Sequence, residues 1–556
     1  QVMDLENPHY NVGGYVLLEG EMDKASMIAA IRHTQKIYDI HRMSFDFEGD
    51  EPRYTLLDKH IEAPISEYDF STAEHPFNAA EAWMSAQYNI AISLEQEKLY
   101  EFAILYLGPQ RHILFCKYHH ILTDAYGFTV VLKEVSRKYS ELVKQAAPEK
   151  LAYKQYAVEI EQANEYVGSA KYEKDRSYWL DKFANMPSPV LQQQYQTEHK
   201  NKSNTLVFKI SDRRRKHYET LNQQLGTSLQ HLTLVALHLY YGKLMPEQST
   251  AFGVTAYKRR KHQWNTLGMF AGVMPYKADY NPNLNLKELV KKINSQLLKD
   301  YRHQNYPVSH LNRELKMLKN SNAQLFEIVV NYLLLDFDND FVGLTSTTCD
   351  LLSDYEKVPL RIWWRDYGPQ QALELRVDHN LTYINAADAQ LVVERVLQIL
   401  DRLTDQWDTP LGEINILNPK EEERLLTTFN ATNTVYPQDQ TLVAWFEEQV
   451  RQQPQAPALV YEGKTWTYQK LNEQANQLAH YLKQRGLQKE ELVVISMEHS
   501  PYVIVGLLAT MKAGGAYVPV DPTYPAQRLQ YILDDTEAIF VITQQKFAKQ
   551  FNIQTI

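Results

Sequence analysis

Cysteine is nearly missing from this chain: Cys116 and Cys349 are the only two among 556 residues, far apart in sequence. That excludes a disulfide framework and a thiolate metal site, and it fits a reducing, cytoplasmic setting. Positive charge is not in excess either. The net charge is -10, which gives no support to nucleic-acid binding. Long apolar runs are absent; the longest, near Tyr502 to Met511, is too short to span a bilayer. The opening residues Gln1-Val2-Met3-Asp4-Leu5-Glu6 lack the basic and apolar succession of an export signal, so no membrane association is expected. No tandem repeat or low-complexity tract is present. Because the first residue is not Met, the chain reads as a piece of something longer.

What is present is the balance of a folded globular protein, with 44% apolar and 23% charged residues, in a length that predicts three or four lobes. Apolar β-prone runs such as Gly14 to Leu18 alternate with helical patterns such as Met22 to Tyr38, which predicts an α/β class. A charged helical stretch, Lys171 to Phe183, runs into Met186-Pro187-Ser188-Pro189, where two prolines break regular structure. A first lobe is therefore expected over residues 1–185. A second, over 186–407, carries predicted strands at Phe326 to Leu335 and Leu373 to Val377, and predicted helices at Leu286 to Leu298 and Ala386 to Leu403. Residues 408–440, polar and marked by Pro410, Pro419 and Pro437, are expected to be a linker, with a third unit over 441–556.

The run Cys116-Lys117-Tyr118-His119-His120-Ile121-Leu122-Thr123-Asp124-Ala125-Tyr126-Gly127 places two imidazoles and a carboxylate in one short turn. Ile113 to Cys116 before it read as a strand, and Gly127 to Val135 after it as a helix. Such a turn presents side chains into a cleft while its flanks hold them still. The same three residues also suit a capping and hydrogen-bonding cluster, and the residues alone leave both readings open.

His119-His120-Ile121-Leu122-Thr123-Asp124-Ala125 resembles the HHxxxDG motif of the condensation domains of non-ribosomal peptide synthetases. Tyr153-Lys154-Gln155-Tyr156-Ala157-Val158 resembles the family's YxDYAVW motif, with Gln for Asp. Gly268 to Pro275 resembles its proline-ended segment, and His303-Gln304-Asn305-Tyr306-Pro307 its HQDYP motif, all in the family's order. Leu325 to Tyr332 with Asp336-Phe337-Asp338 is most similar to the starter-type subgroup, which takes an aryl or fatty acyl donor. Behind these, Trp466-Thr467-Tyr468-Gln469-Lys470-Leu471 and Met511 to Pro522 resemble the first core motifs of adenylation domains, read on their own as a strand-and-turn scaffold. The resemblance implies two chloramphenicol-acetyltransferase-like lobes forming a V-shaped condensation domain, followed by a truncated N-terminal adenylation subdomain not expected to activate an amino acid by itself.

The resemblance also implies the chemistry: the amine of a carrier-bound aminoacyl acceptor attacks a carrier-bound acyl thioester. The partners would be donor and acceptor peptidyl carrier proteins, whose phosphopantetheine arms bring the only cofactor, and the remainder of the adenylation domain; no metal is implied. His120, His119 and Asp124 form the candidate catalytic turn. His120 is the acting imidazole, as a base or as a hydrogen bond to the tetrahedral species; His119 packs the turn and Asp124 fixes it through a basic partner. That partner is expected to be Arg259, in a segment, Gly253 to Arg259, that resembles the family's GxPVxGR at its two ends; a solvated face is the alternative for the run Lys258-Arg259-Arg260-Lys261. Asn331 is a further cleft candidate, or else a strand-end hydrogen bond. Ala125 stands where the family has Gly and is expected to hinder turnover if that position needs positive φ or close approach of a pantetheine arm. Ile37 to Phe45 keeps only Arg42 and Phe45, with Asp39 for Glu, from RHExLRTxF. Epimerisation, and a docking module that has lost turnover, are the competing functions.

Overall fold

The computed structural model describes residues 7–46, 53–58, 63–94, 98–147, 149, 153–196, 201–246, 248–317, 325–334, 340–368 and 372–556. The chain divides into two compact units, Gln1–Leu426 and Thr427–Ile556. In the first, the strands are β1 (Asn11–Glu19), β2 (Met43–Asp46), β3 (Arg53–Leu56), β4 (Ile65–Asp69), β5 (Tyr100–Gly108), β6 (Arg111–His119), β7 (Ser203–Ile210), β8 (Ser249–Tyr257), β9 (Ala271–Asp279), β10 (Ile328–Leu334), β11 (Thr345–Asp350), β12 (Leu360–Asp366) and β13 (Leu373–Asn380).

One sheet runs β11-β1-β6-β5-β4. Its central strand β6 is buried from His112 to His119, on both faces, which is why Ile113 to Cys116 read as one apolar run rather than an alternation. Leu114, Cys116 and Tyr118 pack with the helices Lys24–Ile37 and Ala125–Val143, while Ile113 and Phe115 pack with the helix Pro76–Tyr88 on the other face. Gly13 and Gly14 let the neighbouring strands close on β1: a Cβ there would lie 2.2 Å from the Cys116 carbonyl and 2.3 Å from that of Cys349.

The second sheet runs β7-β13-β12-β10-β8-β9, with β10 parallel to β8 and β12 and the other pairs antiparallel. The strand period of two sorts its residues. Val330, Ile362, Trp364, Leu375 and Val377 enter the large core with the helices Leu229–Leu244, Leu286–Tyr301 and Ala386–Arg402. The alternate positions Arg365, Arg376 and Asp378 are charged and nevertheless buried.

Three sequence-based boundaries shift. The helix Ala170–Lys182, expected in the first lobe, sends Trp179 into the second core, joined by Phe183 just beyond its end. β11, expected in the second lobe, pairs antiparallel with β1 from Gly14↔Asp350 to Glu19↔Thr345, so the first sheet is completed by a strand from the later segment. The expected linker is only half a linker: Leu411 and Ile414 are buried in the second core, and Arg395 ion-pairs with Glu421, whereas residues 429–440 are exposed.

The second unit holds a parallel sheet of Ala516–Pro519, Leu492–Ser496, Phe540–Thr543 and Gln554–Thr555 in that order, with the helices Tyr468–Gln484, Pro501–Ala513 and Ala526–Thr536 and a hairpin Pro457–Tyr461/Lys464–Thr467. Among the described residues no helix is long and apolar enough to cross a membrane.

Candidate active site

The turn leaving β6 is shaped by hydrogen bonds. The His120 amide donates to the Tyr10 carbonyl at 2.7 Å, and its ring Nδ1 lies 2.9 Å from the Thr123 carbonyl oxygen. A carbonyl only accepts, so Nδ1 carries the proton and the neutral ring keeps its lone pair on Nε2. His119 has the opposite arrangement: its Nδ1 accepts from the Ile121 amide at 3.1 Å, which puts the ring proton on Nε2. His119 is buried, and burial first, then the His120 and His9 rings, pushes its pKa down to about 4. One imidazole is thus a neutral packing group beside Tyr10, with ring centroids 5.6 Å apart; the other, half-buried, lines a cavity.

Asp124 is spent entirely on structure. Oδ1 caps the helix Ala125–Val143 through the Gly127 amide (2.8 Å) and meets Arg259 Nη2 (3.1 Å); Oδ2 accepts the amides of Phe270 (2.9 Å) and Ala271 (3.0 Å). The Arg259 side chain is 4% exposed, so it is not part of a solvated face. Its guanidinium also donates to the carbonyls of Gln263, Thr266 and Gly268, and lies over the Tyr126 and Phe270 rings at 4.8 and 4.2 Å. This buried pair binds the turn of the first sheet to the segment that connects β8 and β9 of the second.

The YKQYAV motif supports the same joint. Asp39 accepts the Tyr156 and Ala157 amides at 2.9 and 2.8 Å, and Tyr156 donates to the Met269 carbonyl at 2.6 Å. Gly268 is required by that approach, since a Cβ there would lie 2.1 Å from the Tyr156 ring. His303 of the HQNYP run is not brought to the cavity; it lies 2.6 Å from Asp175 and stacks on Tyr178 at 4.0 Å.

Two expectations change. Ala125 is the first residue of its helix and has no positive φ, so the left-handed demand does not exist there. The glycine that matters is Gly127, where a Cβ would lie 1.8 Å from Thr123 Oγ1. Ala125 does line the cavity, so its methyl takes up room beside His120. Asn331 is buried and accepts from the Tyr257 hydroxyl at 3.2 Å; it is not among the lining residues. Asp336-Phe337-Asp338 lie outside the described residues.

The cavity, of about 340 Å³, is walled by β1 residues Asn11 to Gly13, by His120, Ala125 and Phe128, and by the charged face of the second sheet. Arg376 holds Asp378 (2.9 Å) and Asp350 (3.1 Å), and Arg365 also pairs with Asp350, at the inner end of β11. None of these residues belongs to a short motif. Their only sequence signal is the alternation of apolar and charged residues in Leu360 to Asp366 and Leu373 to Asp378. Among the described residues no group of histidine, cysteine or carboxylate side chains is arranged to hold a metal ion.

Residues 1–426 match the family model described as Condensation domain, and residues 446–555 the model described as AMP-binding enzyme. The dimodular nonribosomal peptide synthase of Bacillus subtilis (strain 168) is 26% identical over 99% of the chain, which spans 23% of that protein. Tyrocidine synthase 2 of Brevibacillus parabrevis is 28% identical over 99% of the chain, here 15% of the relative. Among solved structures, the starter condensation domain of rhizomide synthetase RzmA aligns with a TM-score of 0.63 at 24% identity, over 75% of this chain and 96% of that one. The four-domain nonribosomal peptide synthetase holo-AB3403, bound to AMP and glycine, aligns over the whole chain and 43% of its own length, with a TM-score of 0.76 at 18% identity. These two likenesses carry the fold.

Proposed function

This chain belongs to the condensation-domain family, the acyltransferase-type catalysts of nonribosomal peptide synthetases, and from that premise we propose the reaction its residues 1–426 perform. The amine of an aminoacyl thioester attacks the carbonyl of an acyl thioester, each borne on the pantetheine arm of a carrier domain. A C–N bond forms, the tetrahedral adduct collapses, and the C–S bond breaks with release of the donor thiol.

The observation that carries this reading is the orientation of His120. With Nδ1–H held by the Thr123 carbonyl, Nε2 has the lone pair, and the ring belongs to the cavity wall. Nε2 accepts the proton that the attacking nitrogen must lose, and the departing thiolate takes a proton in turn. The thioester is already activated, so much of the acceleration comes from holding the partners in register. His119 and Asp124 act through His120: one packs the turn, the other locks it to the second sheet. Residues 441–556 are read as the N-terminal part of an adenylation domain, joined by residues 427–440.

Single-turnover mass spectrometry with a loaded donor carrier and a loaded acceptor carrier tests this. Amide product is expected from the chain and is expected to fall on the order of 10²- to 10⁴-fold in His120→Ala. An acceptor with inverted α-carbon and no amide would make it an epimerisation domain, and carrier binding without product a recruitment module.

A further inference from the structure

The run Lys258-Arg259-Arg260-Lys261 is not one solvated face. Arg259 is the buried lock of the catalytic turn, whereas Arg260 and Lys261 are exposed. Lys258 belongs with neither. It is half-buried just past the end of β8, and its side chain turns back over β9. Gly272, which pairs with Ala256 across the two strands, makes the room: a Cβ there would lie 3.2 Å from Lys258 Cε and 3.3 Å from its Nζ.

The ammonium of Lys258 is left in an unusual state. Burial lowers the pKa of Lys117, Lys182, Lys243 and Lys258 alike. The first three are committed. Lys117 pairs with Glu101 at 3.4 Å and donates to the Gln87 carbonyl at 2.8 Å. Lys182 reaches both Asp300 oxygens at 2.7 Å, and Lys243 donates to the Gly412 carbonyl at 2.8 Å. Lys258 has no carboxylate or carbonyl partner among the described residues, and its Nζ is not sealed in by protein.

An amine so placed is a nucleophile. Withdrawal from water favours the neutral form, no partner holds the nitrogen charged, and its lone pair is uncommitted. The reaction proposed above brings acyl thioesters to this chain, and a thioester is an electrophile that a neutral amine attacks.

We propose that Lys258 is a modification site, a second amine at which this chain takes an acyl group from a pantetheine thioester. Neutral Nζ attacks the carbonyl carbon, a C–N bond forms, and the C–S bond breaks with its electron pair on sulfur. The nitrogen gives up one proton and the thiolate takes one, through water. The products are an Nε-acyl-lysine and a free pantetheine thiol. The proposal rests on the reading above only for the source of its thioester; His120 takes no part.

The test needs no variant. The full chain is incubated with the butanoyl thioester of pantetheine at pH 8, in buffer and in urea, and the acyl occupancy of every lysine is followed by mass spectrometry of its peptides. In buffer, Lys258 is expected to be acylated on the order of tenfold faster than the exposed lysines, while Lys117 and Lys182 stay free. Urea is expected to erase the difference, because the folded surroundings produce it. Acylation of Lys258 no faster than that of the exposed lysines, or an advantage that survives urea, would overturn the proposal. Acylated Lys258 in a chain that forms no amide between carriers would overturn the proposed reaction and leave this site standing. Amide formed between carriers with Lys258 untouched would do the opposite.

Discussion

The turn at 119–127 and the charged face of the second sheet wall the same cavity, and they are built differently. In the turn, chemistry is local: two histidines and an aspartate within six residues are oriented by carbonyls and amides, several of them in the same turn. On the sheet, chemistry is assembled from afar, with Asp350 of β11 meeting Arg365 of β12 and Arg376 of β13. The turn has little redundancy, since each imidazole has one anchoring hydrogen bond that sets its tautomer. The sheet shares its charges, so the loss of one partner leaves others in place. This difference predicts how each region fails.

The largest effect belongs to His120→Ala, a loss on the order of 10²- to 10⁴-fold in single-turnover rate. Next comes Asp124→Ala. It removes the carboxylate that neutralises the buried Arg259 guanidinium, which keeps only carbonyls and rings about it, and is expected to cost about 3–5 kcal/mol, read as lost hydrogen-exchange protection at the Gly127, Phe270 and Ala271 amides. Arg376→Met on the sheet is expected to cost less, about 1–3 kcal/mol, because Arg365 still holds Asp350 and the Thr205 hydroxyl still reaches Asp378 at 2.6 Å. Equal losses at the two sites would break the comparison.

The two sheets should also respond to pH with opposite sign. His119 has its pKa lowered to about 4, so its share of stability is complete above about 6.5 and is lost as pH falls through 4, amounting to roughly 3 kcal/mol. Glu327, beside the start of β10, is buried and accepts the Val190 amide at 3.0 Å; burial raises its carboxyl to about 7. Its share is complete below about 4.5 and is lost as pH rises through 7, again by roughly 3 kcal/mol. Hydrogen exchange at β6 and β10 between pH 4 and pH 8 is expected to show acid loosening the first and base loosening the second, and Glu327→Gln to remove the latter.

How much of this was legible in the sequence follows from the same contrast. The turn could be read because its residues are contiguous and its strand and helix flanks announce themselves by pattern. The Asp124–Arg259 pair, 135 residues apart, was reachable only through a resemblance. The sheet face shows in the sequence only as an alternation of apolar and charged residues, because buried arginines and aspartates look like solvated ones until the strand order is known. β11 falls within the segment expected as the second lobe yet completes the first sheet, and the reason is related: nothing in Thr345 to Asp350 says that its partner is β1. Leu411 and Ile414 were hidden in a proline-marked stretch that reads as linker but packs as core.

Ala125→Gly should have the smallest effect. Without a positive φ to relieve, glycine at the first helical position is expected to cost under about 1 kcal/mol and to change the single-turnover rate less than about threefold. A large gain in rate would show that the methyl obstructs the cavity.

The proposed role of His120 turns on the tautomer of the two adjacent imidazoles, read by nitrogen-15 resonances of ring-labelled histidine at pH 8, with His120→Ala supplying the assignment. His120 is expected to be protonated at Nδ1 with its lone pair on Nε2, and His119 to be protonated at Nε2. A His120 ring carrying its proton on Nε2 would contradict it, because the cavity would then face a donor where the reaction needs a base.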